Sequence, residues 1–251
     1  MNRRDFVVTG LAACSMGCSW TLRDASGAVV KGCRTARAGA DLRGRILKDP
    51  PARWEEKWGR CKSPFPGAAR TICPFRFNRL ALAKHELGVS PAVYFYNDED
   101  SPNALALPPG SIDPNGVVLL GVNLLEAQWE REDAQQLSLN QWGASPVISA
   151  HEHGHILQYK MGYRPDGPWQ MEPHADFMAG WCIGQIQHLR KDSDIENLVQ
   201  AMFEMGDTEF NDSSHHGEPE FRAAMVRAGY DAYRRKLQAA FEKGKKMAGL
   251  K

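Results

Sequence analysis

His151 and His155 stand four residues apart, with Glu152 directly after the first. On a helix that spacing puts both imidazoles on one face, where they can share one metal ion, and sets the carboxylate one step round. A carboxylate in that place can take a proton from water activated by the ion. A catalytic ion of this kind needs a third protein ligand and an open fourth position. Glu172 supplies the ligand, at the head of the stretch Glu172-Pro173-His174-Ala175-Asp176. Asp176 lies four residues on, on the same helical face. It is placed to accept a hydrogen bond from the ring N–H of a ligand histidine, which fixes the tautomer and raises the basicity of the ring. The expected cofactor is a single Zn2+ ion, because His-Glu-x-x-His is the arrangement of zinc hydrolases. His174 is the rival third ligand, although it would point off the helix away from Glu172. His153 falls between the ligands on another face and reads as a supporting or surface histidine.

These side chains need two helices to position them. Ser145 reads as an N-cap and Pro146 as a first helical residue, which predicts a helix running through His155. Val147, Ile148, Ile156 and Leu157 give it an apolar side. Pro173 lacks an N–H and clashes one turn back, so the second helix must begin or kink there. Asp176, Gly180 and Gly184 form a row of every fourth residue, and small side chains there would let this helix lie close against the first. Upstream, the pattern predicts a helix over 78–87 stopped by Gly88, then strands over 92–96, 103–107 and 116–122. From Leu124 onward the pattern is almost wholly helical. Three strands followed by several helices predict an α+β fold with one small sheet. The 116–122 strand, next to the site helix in sequence, is expected to take an extended peptide along its edge.

The motifs together resemble those of the gluzincin metallopeptidases. The closer likeness is to the bacterial neutral zinc metallopeptidases, with the CAAX-prenyl and heat-shock peptidases more distant. The matching pieces are His151-Glu152-x-x-His155, Gln158, Glu172-x-x-Ala175-Asp176 and Ala179-Gly180. Further on, His216-Gly217-x-Pro219-x-x-Arg222 and Gly229-Tyr230 are similar to a His-Gly segment of those proteins, and Asn103-Ala104-Leu105-Ala106 to one of their strands. The likeness spans roughly residues 90 to 232. It departs at Pro173, where an apolar residue is usual, and in the short separation of His155 from Glu172. The resemblance implies a zincin-like fold and hydrolysis of a peptide or protein substrate. It implies zinc on His151, His155 and Glu172, Glu152 as the catalytic base, and Asp176 behind a ligand. His216 would donate to the oxyanion or order the cleft, with Tyr163 and Tyr230 as alternative donors. Two other readings remain open: an envelope lipoprotein acting as a binding or scaffold module around a structural zinc, and a zinc amidohydrolase acting on a non-peptide substrate.

The rest of the chain bounds these readings. Its 251 residues carry 31 basic and 30 acidic side chains, which excludes a strongly basic nucleic-acid binder. Mean hydropathy is −0.46. Residues 1–28 resemble a twin-arginine export signal, with Arg3 and Arg4 followed by Phe6 and a short apolar stretch. Leu11-Ala12-Ala13-Cys14 also resembles a lipobox, and Cys18 is a second candidate for a lipidated cysteine that would attach the protein to a membrane. The expected location is therefore outside the cytosol, in the periplasm or anchored to the envelope of a bacterium. In that oxidising compartment Cys33, Cys61 and Cys73 could pair, whereas Cys182 reads as a buried thiol. Residues 29–75, rich in Arg, Gly and Pro, read as an irregular linker before a domain spanning 76–251.

Overall fold

The computed structural model describes residues 42–58, 80, 82–99, 102–134, 144–163, 165, 170–186, 195–196, 198–199 and 219–249. Residues 1–28, read above as an export signal, lie outside the described residues with Cys14 and Cys18, as do Cys33, Cys61, Cys73 and His216. What is described is a mixed α+β fold around one small sheet.

The sheet has three strands: β1 (Ala92–Tyr96), β2 (Ala104–Leu107) and β3 (Val117–Gly121), in the order β1-β3-β2. β1 runs parallel to β3, with Ala92 opposite Val117, and β2 runs antiparallel to it, with Leu107 opposite Val117. Every residue of β3 is buried. A continuous apolar run of this kind is what a strand covered on both faces requires. Its central place corrects the expectation that β3 docks a peptide. Both of its hydrogen-bonding edges are already taken by β1 and β2.

Helix α1 (Ala52–Trp58) lies inside the stretch expected to be irregular. Trp54 is fully buried, with its ring edge-on to Phe95 at 5.3 Å and to Trp129 at 4.8 Å. To that extent the reading of 29–75 as a linker is corrected, since Trp54 belongs to the main core. A helical turn over 82–86 ends as predicted at Gly88, whose φ of 60° suits glycine, with Val89 N–H donating to Lys84 O.

Helix α2 (Val122–Ala134) follows β3 directly. The fully buried Asp98 carboxylate accepts N–H bonds from Asn103, Asn123 and Leu124, capping α2 from a distant loop. Gly121 makes room for it, because a Cβ there would run into that carboxylate.

Helix α3 (Ala144–Lys160) is buried along almost its whole length, between the sheet on one side and α4 (Met171–Gln185) on the other. It begins one residue before the predicted cap. Ser145 sits in its first turn, and its hydroxyl accepts the Trp129 indole N–H at 3.2 Å. Pro173 falls in the first turn of α4, where a backbone N–H would have no partner within the helix. Helices α5 (Pro219–Asp231) and α6 (Leu237–Ala248) close the far side of α4.

The row of small residues on α4 faces a different neighbour from the one expected. A Cβ at Gly180 would strike the Val226 backbone, and Gly184 lies against Tyr230 and Tyr233. Asp176, Gly180 and Gly184 therefore pack on Arg222, Val226 and Tyr230 of α5, one four-residue row against another. Close approach of α3 to α4 comes instead through Gly154, where a Cβ would sit 3.2 Å from the Ala175 carbonyl oxygen.

Candidate metal centre

His151 and His155 project from one face of α3 as predicted, and their Nε2 atoms lie 3.1 Å apart. Glu172, in the first turn of α4, brings Oε2 to 3.3 Å from His151 Nε2 and Oε1 to 3.4 Å from His155 Nε2. A tetrahedral ion with bonds of about 2.0–2.1 Å holds its ligand atoms about 3.3 Å apart, so the triangle has the right size. Among the described residues, these three side chains form a group that could hold a metal ion.

The donor chemistry fits as well. His151 Nδ1 donates to Asp176 Oδ1 at 2.8 Å, and His155 Nδ1 donates to Gln158 Oε1 at 2.8 Å. With each Nδ1 carrying a proton, each neutral ring keeps its Nε2 lone pair, and the two lone pairs converge. Two such atoms 3.1 Å apart need a cation between them or a proton on one of them. Without metal, one shared proton can take the cation's place between the two Nε2 atoms. Burial alone would push the His151 pKa down, but the Asp176 and Glu172 carboxylates outweigh it and lift it to about 10. Burial is likewise overcome at His155, chiefly by Glu172, and its pKa is raised.

Asp176 occupies the place foreseen for it. It is fully buried, and its other partner is Arg222 on α5, which donates from Nε to Oδ2 and from a terminal nitrogen to Oδ1, both at 2.9 Å. Burial would raise the Asp176 carboxyl, but Arg222 and then His151 hold it below the usual carboxylate range. Burial would likewise discharge Arg222, and Asp176 keeps it charged. Arg222 stood in the sequence as part of a matched segment without a role. What hid the role is a separation of 46 residues from Asp176.

Gln158 was also visible without a role. It accepts from His155, and its Nε2 donates to Met171 O at 2.7 Å and to His174 Nδ1 at 2.9 Å. His174 in turn donates from Nε2 to Phe241 O at 3.2 Å. It therefore faces away from the centre, and the rival ligand reading of His174 does not hold among the described contacts. Burial pushes its pKa down to about 3, so it is neutral.

His153 is not a surface residue. It is fully buried, its Nδ1 donates to Ser149 O at 2.7 Å, and among the described residues its Nε2 has no hydrogen-bond partner. Burial lowers its pKa to about 4. Glu152 is buried beside His151 and His155, and its charge helps to raise the pKa of both His155 and Arg222. Tyr163 lies against the His174 ring at 4.9 Å, and Cys182 is buried with its pKa pushed up, as a structural thiol should be.

Comparison with known proteins adds no relative: no family model matches the chain, and no curated protein or solved structure gives a significant match.

Proposed function

We propose that this chain is a zinc metallopeptidase of zincin-like fold. The observation that carries the reading is the triangle of His151, His155 and Glu172 ligand atoms, 3.1 to 3.4 Å on a side, with Glu152 next to it on the same helix. Two imidazoles and a carboxylate are a donor set that suits zinc and leaves a fourth position for the reaction. A bound zinc supplies Lewis acidity, polarising a substrate carbonyl and making water nucleophilic near neutral pH. Glu152 takes the proton from the attacking water on its carboxylate and passes it to the leaving amine. Asp176, backed by Arg222, keeps His151 Nδ1 protonated and its Nε2 available. Export, lipid attachment through Cys14 or Cys18, and a polypeptide substrate belong to the same proposal. They rest on the sequence motifs.

The test is Glu152→Gln. The variant is expected to fold and to bind zinc as the parent does, with hydrolysis of an unstructured protein such as casein reduced about 100-fold or more. Equal turnover by both proteins would end the reading. A purely structural zinc is the alternative that the deep burial of both histidines favours. It gives a different result: chelation lowers the melting temperature, and neither protein cleaves casein.

A further inference from the structure

The hydrogen bonds behind His155 carry an inference of their own, which rests on the metal-centre reading. Four groups run in line from α6 to the ligand: the Phe241 carbonyl, the His174 ring, the Gln158 amide and the His155 ring. Each link has only one sense. A carbonyl oxygen can only accept, so His174 carries its proton on Nε2, 3.2 Å from Phe241 O. Its Nδ1 is then a lone pair and accepts from Gln158 Nε2 at 2.9 Å. The second Nε2 proton of Gln158 goes to Met171 O at 2.7 Å. With both amide protons committed, Gln158 Oε1 accepts the Nδ1–H of His155 at 2.8 Å.

We propose that Gln158 and His174 are positioning residues for the metal, holding His155 in the tautomer that can ligate and tying its orientation to the backbone of α6. An amide can turn over and exchange its oxygen with its nitrogen. Turned over, Gln158 would offer N–H to His155 Nδ1, drive the ring proton onto Nε2 and close the ligand position. It would also set its oxygen against two acceptors, Met171 O and His174 Nδ1. His174 is an acceptor there only because Phe241 O holds its other nitrogen's proton. The ring itself is buried between Tyr163, at 4.9 Å, and Phe241, at 4.6 Å. Met171 directly precedes Glu172, so one amide side chain aligns a ligand on α3 with the start of the helix that brings the third.

The full chain decides the matter by zinc competition against a chromogenic chelator, with imidazole 15N resonances as a second readout. Gln158→Met fills the same space without hydrogen bonds, and His174→Phe keeps an aromatic ring between Tyr163 and Phe241. Both are expected to remain folded by circular dichroism and to bind zinc about 10–100-fold more weakly than the parent. In the parent, His174 is expected to carry its proton on Nε2, and zinc-loaded His155 on Nδ1. Folded variants that bind zinc as tightly as the parent would overturn this inference alone. A parent that binds no zinc would remove the metal centre and this inference with it. Should either variant fail to fold, the tautomers of the parent still decide: a His174 proton on Nδ1 breaks the line.

Discussion

His151 and His155 sit one turn apart on the same helix, yet they are held from behind by opposite chemistry. Behind His151 stands full charge, the Asp176 carboxylate gripped by the two-pronged Arg222 guanidinium. Behind His155 stands a neutral line of an amide, an uncharged imidazole and a backbone carbonyl. The charged side raises the basicity of its histidine, but it holds only as a complete set, because removing one member strands a buried charge. The neutral side adds no charge beside Glu152 and Glu172, and it controls direction instead of basicity. A metal ion held there would meet one strongly basic imidazole and one whose direction is fixed.

Asp176→Ala attacks the charged side and should have the largest effect. It leaves Arg222 buried and unpaired, and unfolding in urea is expected to show a loss of about 3–5 kcal/mol in metal-free protein. A loss below about 1 kcal/mol would mean that the two sides do not differ in kind. Gly180→Ala comes next. Its Cβ would meet the Val226 backbone, which cannot step aside as a side chain could. A destabilisation near the upper end of about 1–3 kcal/mol is expected, from the same urea measurement.

Acid should find the two buried, uncharged histidines before it finds the ion pair: His174 on the neutral side, and His153, which belongs to neither side. The pKa of His153 falls to about 4 in the fold and that of His174 to about 3, both from an ordinary value of 6.5. Below 6.5 the unfolded chain takes up protons that the folded one refuses. Their stabilisation is therefore complete above that pH and drains away as pH falls towards 4 and 3. Each should cost about 1.5 kcal/mol between pH 6.5 and 5. Asp176, held below the carboxylate range, gives way only at lower pH. His153→Met should remove its own share, about 1.5 kcal/mol, of the change across that window, followed by urea unfolding at several pH values, and an unchanged slope would refute the assignment. Gly154→Ala is the mildest change. The new Cβ would lie 3.2 Å from the Ala175 carbonyl oxygen, and a small shift of α3 could absorb it. A loss of about 1 kcal/mol or less is expected in urea, well short of that at Gly180.

The two sides were also unequally legible. The four-residue spacings of His151 with His155 and of Glu172 with Asp176 are local, and the helices reproduce them. The strands stood out as apolar and β-branched runs within a residue of their ends. Periodicity gives a face, however, and not the neighbour that the face meets. The row of Asp176, Gly180 and Gly184 was recognisable as a close-packing stripe, but nothing local distinguishes α3 from α5 as its partner. The same gap hid Arg222 and the contact of Gln158 with His174, since both pairings join different helices. Strand order failed for a related reason. Adjacency in sequence favoured β3 as a docking edge, while its unbroken apolar run, covered on both faces, already pointed to the centre of the sheet.

The interlocked rows on α4 and α5 also bear on how this sequence can drift. Gly229 faces the Phe177 backbone as Gly180 faces that of Val226, so neither glycine can gain a side chain while the helices keep their distance. That distance sets the reach of Arg222 to Asp176. The four positions 176, 180, 222 and 229 are therefore bound into a single unit of inheritance. Among descendants of this chain they should be kept together or exchanged together, and a lineage that abandons the ion pair is freed from both glycines.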